Sequence, residues 1–160
     1  MPSEHAQLLQ EKQKFKFAYG LREAQLRRLF AVALKKPGVT GELFLSLLER
    51  RLDNVVYRLG FAPSRSVARQ LVGHGHILVN ARKVTVSSYA VQVGDIVAIR
   101  PQSKNHPVFR DLEASLKKYD PPVWLAVDPE KTEGRVIALQ KDFDMPFNVN
   151  MVVDFYSKTV

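Results

Sequence analysis

The sequence predicts an α+β protein: a helical N-terminal part followed by a middle part in which helices pack on a small twisted sheet. Three observations lead to this prediction. Apolar residues recur with helical spacing through roughly the first 60 residues, the spacing changes from 3.6 to 2 near residue 76, and Pro and Gly separate the segments.

The helical part divides into several segments. Residues 4–18 carry apolar side chains at helical spacing and end at Gly20, and a second helix is predicted at about 21–34. Thr40 is the predicted N-cap of the next helix. The same spacing continues through 50–59 as far as Gly60, a predicted left-handed C-cap, so one helix or two could cover this stretch.

Ser64 is the predicted N-cap of a short helix over 65–73. Arg65 and Arg69, four residues apart, are expected to project from one outer face of this helix. Their guanidinium groups could bind phosphate in the bidentate manner that lysine cannot reproduce.

Extended segments and one more helix complete the predicted elements. The predicted strands are 77–79 and 84–86 joined by a turn over 80–83, two stretches within 91–99 around a Gly94-Asp95 turn, 134–140 and 150–156. The additional helix covers 107–119 and is stopped by Pro121-Pro122.

Composition limits the function classes. The 160 residues include 24 Lys and Arg against 16 Asp and Glu, a formal net charge of +8, and 46% of them are hydrophobic, which suits one folded domain or one with a smaller partner. The sequence has no cysteine, which excludes disulfides, thiolate metal sites and a cysteine nucleophile. No apolar run approaches the roughly 20 residues of a membrane span and no signal peptide is recognisable, so we expect an intracellular or organellar protein without a membrane partner.

The positive charge is concentrated in the middle of the chain. Residues 1–50 hold 9 basic and 5 acidic side chains, residues 51–104 hold 8 and 2, and residues 105–160 hold 7 and 9. A polyanion can approach a segment that has almost no carboxylates without being repelled, so nucleic acid is the first partner to expect. The alternative is a basic surface that serves only solubility. The acidic last third, with Asp142 and Asp144, is the expected protein-binding side, and reversing those two charges should leave RNA affinity nearly unchanged.

Several segments resemble one family closely. In the middle third they are Arg51 to Gly60 (RLDNVVYRLG), Ser64 to Val72 (SRSVARQLV), Gly75 to Asn80 (GHILVN) and Val91 to Val97 (VQVGDIV). Together they resemble the RNA-binding domain named after small-subunit ribosomal protein S4. The flanks are similar to the bacterial-type S4 family itself: Gln10 to Lys14 (QEKQK), Tyr19-Gly20, Asp128 to Lys131 (DPEK) and Phe155 to Ser157 (FYS).

The resemblance implies an S4-type (alpha-L) RNA-binding domain, with helices on a small twisted antiparallel sheet, inserted in a helical domain. The expected division is a helical N-terminal domain that binds ribosomal RNA (1–50), the S4-type domain (51–104), and a C-terminal helix and strands packing on both (105–160). Bacterial-type members begin with an additional arm, in some species with zinc-ligating cysteines, and this chain is expected to lack it.

The resemblance also implies a function. Family members are structural constituents of the small ribosomal subunit that bind its RNA, nucleate assembly and contribute to decoding fidelity. Implied partners are ribosomal protein S5, other small-subunit proteins and messenger RNA at its entry path, on a cytoplasmic or organellar ribosome; some bacterial members repress their own messenger. No cofactor, metal or enzymatic step is expected.

The predicted RNA-binding residues combine cations with polar groups at turns and helix ends. Tyr19 enters through the resemblance, with core packing as the alternative. The lysines of the first helix are included because the arginines of the second add positive charge to the same region, with a merely solvated lysine face as the alternative. The full set is Lys12, Lys14, Lys16, Tyr19, Arg22, Arg27, Arg28, Arg51, Arg58, Ser64, Arg65, Arg69, Gln70, His74, His76, Arg82, Lys83, Arg100 and Lys104.

Some of these motifs also allow interpretations other than RNA binding. Arg51-Leu52-Asp53 is similar to the signature around the catalytic aspartate of pseudouridine synthases, but Leu52 belongs to a helical apolar stripe, so Asp53 is expected to be a cap or a partner of neighbouring arginines. His74 and His76 supply too few ligands for a metal site. Two other functions stay open: a stand-alone RNA-binding or RNA-modification accessory protein that shares the middle domain, and a general basic RNA chaperone.

Overall fold

The computed structural model describes residues 2–138 and 148–159. Within these ranges the helices are α1 (Glu4–Tyr19), α2 (Glu23–Lys35), α3 (Thr40–Glu49), α4 (Leu52–Arg58), α5 (Arg65–Gly73), α6 (Leu112–Lys118) and α7 (Val149–Thr159). The strands are β1 (Ile77–Val79), β2 (Arg82–Lys83), β3 (Ile96–Ile99), β4 (Leu125–Asp128) and β5 (Glu133–Val136). The predicted α+β class is confirmed.

The chain forms two compact units. Residues 1–48 and 140–160 make the first, and residues 49–139 make the second. The segment 105–160, predicted as one C-terminal part, is divided between them.

The first unit is helical. Its core brings α1, α2 and α3 together with α7, and the ring of Tyr156 stacks on Phe30 at a centroid distance of 5.0 Å. The strand predicted at 150–156 was wrong, because this segment is the helix α7. Val152 and Tyr156 are four residues apart and both fully buried, so one helical face enters the core although the segment's β-branched and aromatic composition favours a strand.

The second unit begins where α3 ends. The backbone N–H groups of Leu52 and Asp53 donate to the carbonyls of Tyr89 and Ser87, and Arg51 pairs with Ala90 as an isolated β-bridge. These tertiary bonds replace helical ones, so the apolar spacing over 40–59 belongs to two helices with a break between them.

Helix α5 starts as predicted. The Oγ of Ser64 accepts a hydrogen bond from the backbone N–H of Val67, which satisfies one of the donors exposed at a helix N-terminus. Gly60, at φ +85°, takes the left-handed conformation expected after α4.

All neighbouring strands of the sheet pair antiparallel, in the order β2-β1-β3-β5-β4. The β1–β2 turn consists only of Asn80 and Ala81, with φ of 51° and 67°, and Val79 pairs with Arg82. The second strand therefore covers 82–83, and the prediction of a strand at 84–86 was wrong because the turn is two residues shorter than expected.

The remaining predictions for the second unit have mixed outcomes. Of the two stretches predicted within 91–99, only β3 forms a strand. The predicted strand over 134–140 corresponds to β5, and residues 139–140 lie outside the described ranges. Strand β4 was not predicted. The 107–119 helix is a 3-10 turn (Pro107–Phe109) followed by α6. Asp142 and Asp144 also lie outside the described residues.

Helix α4 is seated closely on β5. Leu59, which follows α4, is fully buried, and a Cβ placed on Gly134 would lie 2.7 Å from the Leu59 Cδ1. Only a glycine at this position leaves room for that leucine, so the close approach fixes the place of α4 against the sheet.

Candidate nucleic-acid interface

A buried carboxylate organises the arginines between α4 and α5. Asp53, 1% exposed, accepts hydrogen bonds from Arg51 Nε (3.2 Å) and Nη2 (3.1 Å) and from Arg69 Nε (3.4 Å). Asp53 is thus a partner of neighbouring arginines, as predicted from the sequence. The Arg51 side chain is only 8% exposed whereas that of Arg69 is 38% exposed. We therefore reassign Arg51 from RNA contact to structure and keep Arg69 as a surface cation.

Asn54 and Tyr57 hold the second arginine of α5. Asn54 is fully buried, and its Oδ1 accepts a hydrogen bond of 2.9 Å from Arg65 Nε. The Arg65 guanidinium carbon lies 4.6 Å from the centroid of the Tyr57 ring, within cation–π range. Arg65 and Arg69 are both half-buried.

Arg58 pairs with a second buried carboxylate. Its Nε and Nη2 donate to the two Glu49 oxygens at 3.0 and 3.3 Å, and the Glu49 side chain is 1% exposed. The Arg58 side chain is 25% exposed and its fork is engaged with Glu49, so its first role is to neutralise this carboxylate.

The other two predicted residues of α5 differ in their placement. Ser64 uses its hydroxyl to cap the helix, while Gln70 is exposed on the helix surface.

Three of the predicted residues after α5 are exposed. His74 is at the surface, and the following Gly75 has a φ of +80°. A Cβ on Gly75 would lie 3.2 Å from Lys83 Cδ, so the Lys83 stem crosses the chain at this glycine. Arg82 and Lys83 are both exposed.

Three histidines lie side by side near Arg100. The rings of His76 and His106 have centroids 5.1 Å apart, and His74 lies 6.3 Å from His76. The Nδ1 of His76 is 2.7 Å from Ser103 Oγ. Burial lowers the pKa of His76 from 6.5, and the positive charge of His106, His74 and Arg100 lowers it further. Excess positive charge at this position is the electrostatic condition that a phosphate would relieve.

Few carboxylates of this region can oppose an anion. Between Asp53 and Asp95 the sequence has no Asp or Glu. Asp53 is buried with its two arginines, and Asp95 accepts hydrogen bonds from Asn80 Nδ2 (2.9 Å) and the Gln92 backbone N–H (2.8 Å). The exposed or half-exposed cations and histidines among the predicted residues of the second unit are Arg58, Arg65, Arg69, His74, His76, Arg82, Lys83, Arg100 and Lys104.

In the first unit, two predicted RNA-binding residues are buried. Lys12 is 5% exposed, and its Nζ lies 2.7 Å from Glu23 Oε2 and 5.2 Å from the centroid of the Phe155 ring. Tyr19 is 2% exposed in the core. Neither side chain is available at the surface, so we reassign both to structure.

Glu23 shows how firmly Lys12 is held. Burial by itself raises the pKa of Glu23, but hydrogen bonds from Lys12 and Tyr156 outweigh burial and lower the pKa below 4.5. The carboxylate therefore stays ionised and compensates the Lys12 charge.

The other predicted basic residues of the first unit are accessible. Lys14 is half exposed beside Glu11 (2.9 Å), and Arg27 is 64% exposed at 3.8 Å from Glu23. Arg22 and Arg28 are exposed and Lys16 is half-buried, so these five side chains form the basic surface of α1 and α2.

Some residues of the site were not predicted from the sequence. Glu49, Asn54, Tyr57 and His106 were not singled out, although a polar Asn54 beside the apolar Leu52 and Val55 was a signal. Their roles depend on the break before α4 and on contacts distant in sequence. Among the described residues, no group of three His, Cys, Asp or Glu side chains is arranged to hold a metal ion, and no helix is long and apolar enough to cross a bilayer.

Two family models match the chain in succession. Residues 1–49 match "Ribosomal protein S4/S9 N-terminal domain", and residues 50–97 match "S4 domain". The second match contains Asp53 and Asn54 with the arginines that bind their side chains, together with α5 and the β1–β2 hairpin.

Curated relatives match over nearly the full chain. "Small ribosomal subunit protein uS4" of Halothermothrix orenii is 50% identical over 159 residues, which is 98% of this chain and 76% of that protein. The protein of the same name from Chloroflexus aurantiacus is 51% identical over 160 residues, 98% of this chain and 78% of that protein. The one from Persephonella marina is 48% identical, covering 97% of this chain and 77% of that protein.

Proposed function

The chain belongs to the uS4 family of small ribosomal subunit proteins, and from this premise we propose that it is a structural constituent of the small subunit that binds small-subunit ribosomal RNA. The observation that carries the proposal is the 41-residue stretch from 54 to 94, which has five Lys and Arg and no carboxylate. This stretch supplies most of α4, all of α5 and the β1–β2 hairpin. Because the major groove of A-form RNA is deep and narrow, we expect recognition through phosphates, 2′-hydroxyls and shape.

The proposed RNA contacts are the predicted residues that remain at the surface. In the second unit they are Arg58, Ser64, Arg65, Arg69, Gln70, His74, His76, Arg82, Lys83, Arg100 and Lys104. In the first unit they are Lys14, Lys16, Arg22, Arg27 and Arg28. Arg58 and Ser64 contribute mainly by fixing the scaffold, since their side chains already bind Glu49 and cap α5.

Family membership supports finer proposals as well. The protein nucleates small-subunit assembly, contributes to decoding fidelity, and contacts ribosomal protein S5 and messenger RNA near its entry path. Its chemistry is recognition without a covalent step, on a cytoplasmic or organellar ribosome. The match of residues 1–49 to the ribosomal N-terminal domain supports this role over a stand-alone RNA-modification accessory protein, which would need only the S4 domain.

Competitive RNA binding tests the proposal. The full chain is titrated onto a transcript of small-subunit ribosomal RNA from Chloroflexus aurantiacus, with and without excess transfer RNA. We expect tight binding that survives the competitor and, for about six neutralised phosphates, a log–log salt slope of roughly −4 to −5. Equal displacement by transfer RNA would instead identify a general basic RNA chaperone.

Arg69→Ala locates the site within the S4 domain. The substitution removes a surface guanidinium but leaves Asp53 paired with Arg51, so the domain should stay folded. We expect RNA binding to weaken by about 1–2 kcal/mol. Filter binding gives the affinity and circular dichroism checks the fold. Unchanged affinity with an intact fold would remove Arg69 from the proposed contacts.

A further inference from the structure

Arg65 and Arg69 are anchored by side chains that are themselves fixed. The Nε atoms, at the base of each guanidinium group, donate to Asn54 Oδ1 and Asp53 Oδ2. An arginine on a solvated helix samples many rotamers, and ordering it on a phosphate costs conformational entropy. Anchoring at Nε reduces that cost before RNA arrives.

The orientation of Asn54 follows from its other hydrogen bond. Its Nδ2 donates to the backbone carbonyl of Glu49 at 2.8 Å, so its Oδ1 must be the atom that faces Arg65. An aspartate at this buried position would set an acceptor against the Glu49 carbonyl. Only an amide supplies the donor on one side and the acceptor on the other.

Asp53 anchors Arg69 without leaving net negative charge under it. Arg51 binds the same carboxylate through two nitrogens, so Asp53 with its two arginines has a net charge of +1. A phosphate approaching Arg69 therefore meets a compensated carboxylate. This arrangement explains how a buried acid can be present in a surface that attracts anions.

We propose that Asn54 and Tyr57 for Arg65, and Asp53 for Arg69, are positioning residues that pre-set the two guanidinium groups of α5 to bind RNA phosphates. The proposal rests on the proposed function, because it names how that RNA site is organised. The positioning residues are buried or half-buried beneath the arginines and act on RNA only through them.

A double-mutant cycle tests the Arg65 half of the proposal. Affinity for the Chloroflexus aurantiacus transcript is measured for Asn54→Ala, Arg65→Ala and the double variant. We expect each single change to weaken binding about tenfold, and the double variant to be no weaker than Arg65→Ala. Losses that multiply in the double variant would overturn the proposal, because Asn54 would then act independently of Arg65.

Salt dependence supplies a readout that lost stability alone would not move. Arg65→Ala should reduce the magnitude of the log–log salt slope by about 0.7–0.9, the contribution of one phosphate contact, and Asn54→Ala should reduce it similarly. A wild-type slope in Asn54→Ala with the full loss of affinity would contradict positioning.

Tyr57 offers a second test if Asn54→Ala does not fold. Tyr57→Phe keeps the ring beneath the Arg65 guanidinium and should retain wild-type affinity, whereas Tyr57→Leu removes the ring and should weaken binding about threefold. Equal affinities for the two variants would overturn the role of the ring.

Val55→Ala is the matched control, since Val55 is fully buried in the same helix. The variants are compared at equal folded fractions, determined by urea unfolding, and Val55→Ala should bind RNA as the wild type does. A tenfold loss of affinity would mean that any damage to α4 weakens binding and would overturn the proposal.

The outcomes separate a failure of the RNA site from a failure of the positioning inference. If Arg65→Ala and Arg69→Ala leave RNA affinity unchanged, the proposed RNA site itself fails. If Arg65→Ala weakens binding but Asn54→Ala and Tyr57→Leu do not, only the positioning inference fails.

Discussion

Individual arginines in this protein differ in what their charge does. Arg51 and Arg58 neutralise the buried carboxylates of Asp53 and Glu49, while Arg69 shares Asp53 and still reaches the surface. A buried ion pair contributes little net stability while intact, but removing one partner leaves a charge that the interior cannot solvate. Removing the acidic member of either pair should therefore destabilise the fold.

Replacing Asp53 by alanine should destabilise the second unit strongly. Arg51, 8% exposed, would lose both of its hydrogen bonds to the carboxylate, and we expect the free energy of unfolding to fall by about 3–5 kcal/mol. Urea denaturation followed by circular dichroism measures the change. Asp95→Ala, at a half-exposed carboxylate, is the control and should cost about 1 kcal/mol. A small effect at Asp53 would show that Arg51 can reach water.

His76 should give stability and RNA affinity opposite pH dependences. Its pKa in the folded protein is lowered from 6.5, so the unfolded chain binds more protons below that pH. The free energy of unfolding should therefore fall as the pH drops below 6.5. A bound phosphate favours the protonated ring, so RNA affinity should rise over the same range.

His76→Gln tests this pair of effects. Unfolding and RNA titrations at about pH 7.5 and about pH 5.5 should show both pH dependences reduced in the variant. Wild-type dependences in His76→Gln would show that His76 carries neither effect.

At the scale of elements, the approach of α4 to β5 is the contact most sensitive to volume. A methyl group on Gly134 would collide with Leu59, so Gly134→Ala should lower the free energy of unfolding by about 1–3 kcal/mol. Gly73, the last residue of α5, has no atom within 4 Å of its would-be Cβ, and Gly73→Ala should be neutral or stabilising by up to about 1 kcal/mol. Thermal unfolding of the two variants makes the comparison, and equal effects would contradict the close packing.

Elements were predictable where local chemistry determines them. Ser64 caps α5 and Gly20 ends α1 in the left-handed conformation, because these residues meet backbone requirements within a few positions. The break before α4 was not predictable, since it depends on hydrogen bonds to Ser87 and Tyr89 more than 30 residues away. Helix α7 was missed because its core partners lie more than 100 residues earlier.

The candidate site was predictable by residue type and only partly by position. The lack of carboxylates and the arginines of α5 are visible in the sequence, so the positive face could be anticipated. Burial could not, because Lys12, Tyr19 and Arg51 look like surface or interface residues until their partners are known. Charge in a sequence identifies the class of partner, whereas tertiary pairing decides which side chains can reach it.

At the scale of the whole molecule, the first unit depends on residues from both ends of the sequence. Its core needs Val152, Phe155 and Tyr156 of α7 in addition to the first three helices. Removing residues 149–160 should destabilise this unit by more than about 3–5 kcal/mol, the cost of truncating a single buried aromatic side chain. Amide hydrogen exchange should show lost protection in α1, α2 and α3 and retained protection in β1 and β3. Unchanged protection in α2 would contradict the role of α7.

This joint construction also sets an order of folding during synthesis. The second unit is contained in residues 49–139, whereas the first cannot complete its core until α7 has been made. About 100 residues separate α3 from α7, so at 5–20 residues per second the early helices wait for roughly 5–20 s with apolar faces uncovered. The first three helices are therefore translated before the second unit but complete their core after it, and chaperones have their longest opportunity to act on these helices.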